Sequence, residues 1–304
     1  MISHLRLRLA ATALTLAAVL PPQATHAQPA AAAAVTLPHV SIVTTGVGSP
    51  VLLIPGLACP RGVYDGIAAD LARTHRVMLV QVNGFGGDDP GANLRPGILE
   101  GIVADLHDYL ARNRLSGVAV IGHSMGGLVG LMLAREHPAD LNRLMVVDSL
   151  PFFAVLMAPP GVDPTPAMVA PQAATMRDRI ASAYGHPLGA EAAEAQTRGL
   201  ALSPAAIARM KEWAAAADPR VTAQAMYEDL TTDLRPDLGA IATPITLVYP
   251  YNTGGPTREK ADPFYHRQYA AAPHVSYVAI GEAAHMVMLD QPAAFAAAVA
   301  DFLK

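Results

Sequence analysis

One serine in this chain stands where covalent chemistry is easiest to build. Gly122-His123-Ser124-Met125-Gly126 fits the pattern Gly-x-Ser-x-Gly. A serine of this kind attacks a carbonyl carbon only with help. A base must take its proton, an acid must orient that base, and two N–H groups must hold the oxyanion. The five letters alone would also suit a plain glycine-rich turn. Their flanks favour the chemistry: "VAVI" precedes the motif as a strand, and "GLVGLMLA" follows it as a helix. In that setting the serine sits on a sharp, strained turn. Gly122 and Gly126 leave room for the turn. The helix N-terminus then favours developing negative charge beside Ser124.

The elements that must position this serine are legible as apolar runs. "VLLIPG" (51–56), "RVMLVQVNG" (76–84), "GVAVIG" (117–122), "RLMVVDS" (143–149), "ITLVYP" (245–250) and "VSYVAIG" (275–281) are nearly continuous in apolar residues. Strands of that composition are covered on both faces. Helical spacing appears between them, as in Tyr64, Ile67, Ala68 and Leu71, and in Ile102, Leu106, Tyr109 and Leu110. The alternation predicts an α/β fold: a mostly parallel central sheet with helices on both faces. "VTLPHVSIVTTG" is expected to add an antiparallel edge. Between Pro151 and Pro236 no strand run occurs. Four helices are expected there, near 165–184, 190–202, 204–217 and 219–233, as an insertion between two strands of one sheet. The domain reading is therefore a leader over 1–27, a core over 28–150, a helical cap over 151–236, and the rest of the core over 237–304.

With these motifs in view, the chain resembles the α/β-hydrolase superfamily, in the branch with a helical cap. The resemblance runs from about Val40 to Lys304. Besides the elbow it rests on "IPGLA", "REHPADLNRLMVVDS", "DLRPDLGAI" before "TPITLVYP", and "AAHMVMLDQP". It implies a base at His285, which follows the last strand after a short loop and precedes a terminal helix. Of the other histidines, His123 lies inside the elbow as a neighbour and His107 lies on a helix face. His137 precedes a proline, and His186, His266 and His274 fall in loop or cap-like segments. The resemblance also implies an oxyanion site formed by the N–H groups of Met125 and Leu57. The family's His-Gly reads Pro55-Gly56 here, which backbone donors tolerate.

The acid is the open member. In the resembled family it usually follows the strand before last, but that turn reads Pro250-Tyr251-Asn252-Thr253. Some members place the acid one strand earlier, where Asp148 stands, and Ser124, Asp148, His285 keep the order Ser…acid…His. Asp148 is the first choice, and Asp262 and Asn252 are the alternatives. The expected activity is hydrolysis of an ester or related acyl bond of a small apolar molecule. Lactonase, amidase or carbon–carbon bond hydrolase activity would use the same residues. A non-catalytic binding protein of the same fold is the rival from another class. Epoxide or haloalkane hydrolysis would need aspartate at position 124.

Composition narrows the remaining classes. The 304 residues are 52% hydrophobic and 15% charged, with a net charge of −4. That suits a globular chain and disfavours a nucleic-acid surface. Spacing reveals no metal constellation and no dinucleotide or P-loop fingerprint, so no cofactor is expected. His4, Arg6 and Arg8 precede an apolar run over 9–20, then Pro21, Pro22 and "THAQ". This reads as a signal peptide cut near Ala27, giving a periplasmic or secreted protein with no stable membrane span after cleavage. The single Cys59 cannot form an intrachain disulfide.

Overall fold

Valine, isoleucine and leucine runs build the sheet. The computed structural model describes residues 34–186 and 197–304. The expected leader over 1–27 lies outside the described residues, as does most of the helix expected near 190–202. The strands are β1 (Val35–Thr36), β2 (Val40–Thr45), β3 (Ser49–Ile54), β4 (His75–Val82), β5 (Val118–His123), β6 (Leu141–Val147), β7 (Ile245–Tyr251) and β8 (Val275–Gly281). They form one sheet in the order β1-β2-β4-β3-β5-β6-β7-β8. β1 and β2 are antiparallel to their neighbours and the rest pair in parallel. The antiparallel edge is the one expected from "VTLPHVSIVTTG".

Strand alternation divides the core between the two faces. Leu52, Ile54, Val80 and Val120 pack on one side with Ile102, Leu106, Leu128 and Val129. Val51, Leu53, Val77 and Ile121 pack on the other with Tyr64, Ile67, Phe295 and Val299. The first layer draws on α2 (Ile98–Arg112) and α3 (Met125–Glu136). The second draws on α1 (Asp65–Leu71) and, at the chain's end, the helix over Pro292–Phe302.

The strand order reverses at β3. The chain goes outward to β4 on one side, then returns to β5 on the other. A crevice opens outside the carboxyl ends of strands at such a point. Ile54 pairs with Gly122 there, so the turn after β3 and the elbow after β5 are neighbours.

Helices occupy the region between β6 and β7: α4 (Pro166–Ala181), α5 (Pro204–Ala216) and α6 (Pro219–Thr231). Each begins with proline at its first position. Each is capped by the side chain before it, Thr165, Ser203 or Asp218, which accepts a backbone N–H of the first turn. α6 is fastened at both ends. Asp218 N donates to Gly84 O just beyond β4 (2.7 Å), and Leu234 N donates to Pro151 O just beyond β6 (2.8 Å). From β4 to β6 the sheet crosses three strand spacings, about 14 Å. Thirteen helical residues span about 19 Å. α6 therefore lies across the carboxyl ends of β3 and β5. Its flank is held by Glu228, whose carboxylate accepts the N–H groups of Gly97 (2.7 Å) and Leu99 (2.9 Å) at the start of α2.

One helix departs from expectation. α7 (Arg258–Gln268) follows β7, and His266 lies on it rather than in a loop, stacked on Tyr277 at 3.8 Å. Its sequence, "REKADPFYHRQ", has no apolar stripe and carries Pro263 inside, so periodicity gave no sign of it. A short helix α8 (Val287–Asp290) and α9 (Pro292–Phe302) close the chain. Among the described residues no helix is long and apolar enough to cross a membrane.

Candidate active site

Ser124 stands between β5 and α3 with φ 54° and ψ −126°. That is a costly conformation for a residue with a β-carbon, and the neighbouring glycines make it reachable. A β-carbon on Gly122 would overlap the Gly126 carbonyl, and one on Gly126 would come within 2.6 Å of Pro55 O. Backbone bonds pin the turn: Ser124 N donates to Val147 O (2.9 Å), and Ser124 O accepts from Gly127 N (2.7 Å). The Ser124 side chain makes no capping bond to its helix, so the hydroxyl is left for other partners.

Met125 is the first residue of α3, where N–H groups lack intrahelical acceptors. The turn after β3 comes close on the other side. A β-carbon on Gly56 would lie 3.0 Å from Ser124 Cβ and 2.9 Å from His123 Nδ1. The backbone leading into Leu57 therefore abuts the serine. Ala58 takes a positive φ of 56° to complete the turn. Tyr64, fully buried, donates its hydroxyl to Ile54 O (2.8 Å) and braces the end of β3.

His285 is brought to this point by several fastenings. His123 donates from Nε2 to the His285 carbonyl (3.0 Å), and the two rings lie 4.6 Å apart. Burial and the nearby His285 charge push the His123 pKa down to about 3, so His123 is a neutral spacer. Asp290 accepts Ala284 N (2.9 Å), and Met286 N donates to Leu200 O (2.9 Å). The loop is thus held on both sides of His285.

The ring of His285 meets Asp148. His285 Nδ1 lies 2.7 Å from Asp148 Oδ2. An ionised carboxylate can only accept, so Nδ1 carries the proton and Nε2 presents its lone pair. Asp148 reaches this position because it leaves the strand. β6 ends at Val147, two residues before the expected end, and Asp148 turns with φ 44° while its N–H still donates to Val248 O (2.8 Å). Tyr265, from α7, donates its hydroxyl to the other oxygen, Oδ1. Burial alone would raise the Asp148 pKa. The hydrogen bonds from His285 and Tyr265, and the positive charge of His285 once it takes a proton, outweigh it and hold the carboxyl below its ordinary range.

The two alternative acids are occupied elsewhere. Asp262 accepts from Tyr249 (2.8 Å) and Arg258 (3.3 Å). Asn252 donates to Ala283 O (2.8 Å) and accepts Gly254 N (2.9 Å). It supports the loop that carries His285, not the imidazole ring. Sequence reasoning missed Tyr265, because its helix was not legible.

Three residues that sequence spacing did not bring together meet away from this site. His107, His137 and Asp140 converge with ligand atoms within 4.8 Å of one another. His107 Nδ1 bonds Asp140 (2.8 Å) and its ring stacks on His137 at 3.7 Å. About thirty residues separate His107 from the others, so spacing could not reveal them. His137 caps the far end of α3, about 18 Å from Ser124 along a helix of twelve residues. Cys59 is buried, and burial pushes its thiol up to about 12, where it is inert.

Likeness to known proteins agrees with this arrangement. A sequence profile described as "Alpha/beta hydrolase family" matches residues 51–298. A pimeloyl-acyl-carrier-protein methyl ester esterase of Aeromonas hydrophila is 32% identical over 128 residues, 41% of this chain and 47% of that protein. The matched stretch thus spans about half the length of that curated relative. The enzyme of the same name from Edwardsiella ictaluri is 27% identical over 272 residues, 85% of this chain and 95% of that protein. Among solved structures, a thermophilic esterase from Thermogutta terrifontis superposes with a TM-score of 0.72 at 22% identity, covering 90% of this chain and 98% of that one. At that identity the likeness concerns the fold.

Proposed function

The chain belongs to the alpha/beta hydrolase family, and from that premise we propose that it is a serine hydrolase that cleaves an ester of a small apolar molecule. The observation that carries the reading is the hydrogen bond between His285 Nδ1 and Asp148 Oδ2 (2.7 Å), with His285 tied through its carbonyl to His123, the residue before the strained Ser124. The esterase names of its relatives point to the same class of bond.

In this mechanism His285 Nε2 takes the Ser124 proton as Oγ attacks the carbonyl carbon. The N–H groups of Met125 and Leu57 hold the oxyanion. Asp148 offsets the charge of the imidazolium and fixes its tautomer. The imidazolium then returns its proton to the leaving alkoxide, which departs as the alcohol and leaves an acyl-Ser124. Water, deprotonated by His285, attacks the acyl carbon. The acid is released and Ser124 takes back the proton. No cofactor enters these steps. The helices between β6 and β7 contribute an apolar cluster with Phe152, Met176 and Met226, whose composition suits an apolar acyl or alcohol group. The missing carboxylate at Pro250–Thr253 favours the rival binding-protein reading, and the hydrogen bond of Asp148 to His285 weighs against it. We also propose that residues 1–27 are an export signal.

A fluorophosphonate probe tests the nucleophile. Labelling at Ser124, with hydrolysis of p-nitrophenyl butyrate that Ser124→Ala abolishes, is the expected result. A folded protein that does not label at Ser124 overturns the reading. Export is checked by sequencing the mature N-terminus, expected near Gln28.

A further inference from the structure

Helix α6 carries a residue that the mechanism does not use. Val221 and Ala225 pack in the same apolar cluster as Met125 and Phe85. Asp229 follows Ala225 at i+4 and Val221 at i+8, on the same face of the helix. A core-facing place is therefore filled by a carboxyl, with the residue only 8% exposed. Next to it Leu230 packs against Phe152, Val169 and Ala173.

Asp229 has no hydrogen-bond or ion-pair partner among the described residues. Burying a carboxyl without a partner is costly, and a group kept at that cost is a candidate for a functional role. Its oxygens are not sealed in. The partnerless polar atoms wholly out of reach of solvent are His123 Nδ1 and Thr222 Oγ1 among the described residues, and those of Asp229 are not among them. Asp229 lies near the end of α6 that is fastened beyond β6, the strand that Asp148 follows. It is also close enough to His285 to feel that ring when it is protonated: burial pushes the Asp229 carboxyl up to about 7, against the pull of the imidazolium.

We propose that Asp229 is a specificity residue of this site, and that its carboxyl binds a hydrogen-bond donor, a hydroxyl or an ammonium, carried by the ester near the carbonyl that Ser124 attacks. This rests on the serine-hydrolase reading above and narrows it. The substrate is then an ester with one polar donor set in an otherwise apolar group. Without such a donor the carboxyl is left unpaired when the ester fills the site, which is how buried polar groups discriminate.

The test compares p-nitrophenyl butyrate with its 2-hydroxy, 3-hydroxy and 3-amino analogues. The wild type is expected to favour at least one donor-bearing ester by about tenfold or more in kcat/KM. Asp229→Leu is expected to bring that ratio to one or below, and Asp229→Asn to leave an intermediate ratio for the hydroxy esters. The hydroxy and amino arms separate the two kinds of donor. Each variant is also melted: a specificity residue buried at a cost predicts a higher Tm on replacement, whereas a structural role predicts a lower one. A wild type that prefers none of the donor esters, or a ratio that Asp229→Leu leaves unchanged, overturns the proposal. The same esters are then titrated into Ser124→Ala protein by ligand-observed NMR. Preferential binding that depends on Asp229, without turnover by the wild type, would refute the hydrolase reading and keep Asp229 as the binding residue. Turnover without preference would refute the role of Asp229 alone.

Discussion

Replacing Asp229 by asparagine should change how stability depends on pH. The folded carboxyl has its pKa pushed from 3.8 to about 7 by burial, net of the His285 charge. A raised carboxyl pKa means that the folded chain holds this proton more tightly than the unfolded chain. Stability contributed in this way is lost as pH rises from about 4 to about 7, and levels off above that. Each pKa unit corresponds to about 1.4 kcal/mol, so the full cost at high pH is about 4 kcal/mol. At pH 5 it is about 2 kcal/mol, because the unfolded carboxyl is already ionised there. The asparagine side chain carries no titrating proton and keeps nearly the same shape. His285, whose charge reaches the site, is present in both proteins. Urea unfolding at pH 5 and pH 8 should therefore show the wild type losing about 2–3 kcal/mol relative to Asp229→Asn between the two values. Stabilities that run parallel from pH 5 to pH 8 would refute the reasoning, because the carboxyl would then titrate alike in both states.

Three further outcomes follow from the site. Asp148→Asn should lower kcat on a p-nitrophenyl ester by about 10²–10⁴, while Asp262→Asn should stay within about twofold, since its partners are Tyr249 and Arg258; steady-state kinetics decides. Tyr265→Phe removes one hydrogen bond from Asp148 Oδ1, which should raise the Asp148 pKa and reduce kcat by about tenfold with KM little changed. Gly126→Ala sets a methyl group 2.6 Å from Pro55 O, so urea unfolding should show a loss of about 1–3 kcal/mol or more, with fluorophosphonate labelling of Ser124 reduced.

The elbow was legible because three signals coincide there: an apolar strand, glycines two residues on either side of Ser124, and an apolar helix. His285 and its loop were legible from their place after the last strand. The choice among Asp148, Asp262 and Asn252 was not, because it turns on tertiary facts. Asp148 leaves β6 with a positive φ, and its second oxygen is met by a tyrosine from α7. That helix is polar, contains Pro263 and is held by packing against β7 and β8, so local pattern could not announce it. Asp229 left a faint trace, a carboxylate in register with Val221 and Ala225. Reading it required knowing which face of α6 meets the sheet. The pairing of His107 with His137 and Asp140 likewise exists only once α2 lies beside α3.

The fastenings of α6 bear on how the protein comes apart. A helix held only by side-chain packing can detach and exchange its amides in a separate, low-energy opening. Here backbone bonds tie its ends to the loops after β4 and β6, and Glu228 ties its flank to the start of α2. Releasing it means disturbing three neighbours of the central strands at once. The amides within Pro219–Thr231 should then show hydrogen-exchange protection close to that of β5, and lose it in the same cooperative step.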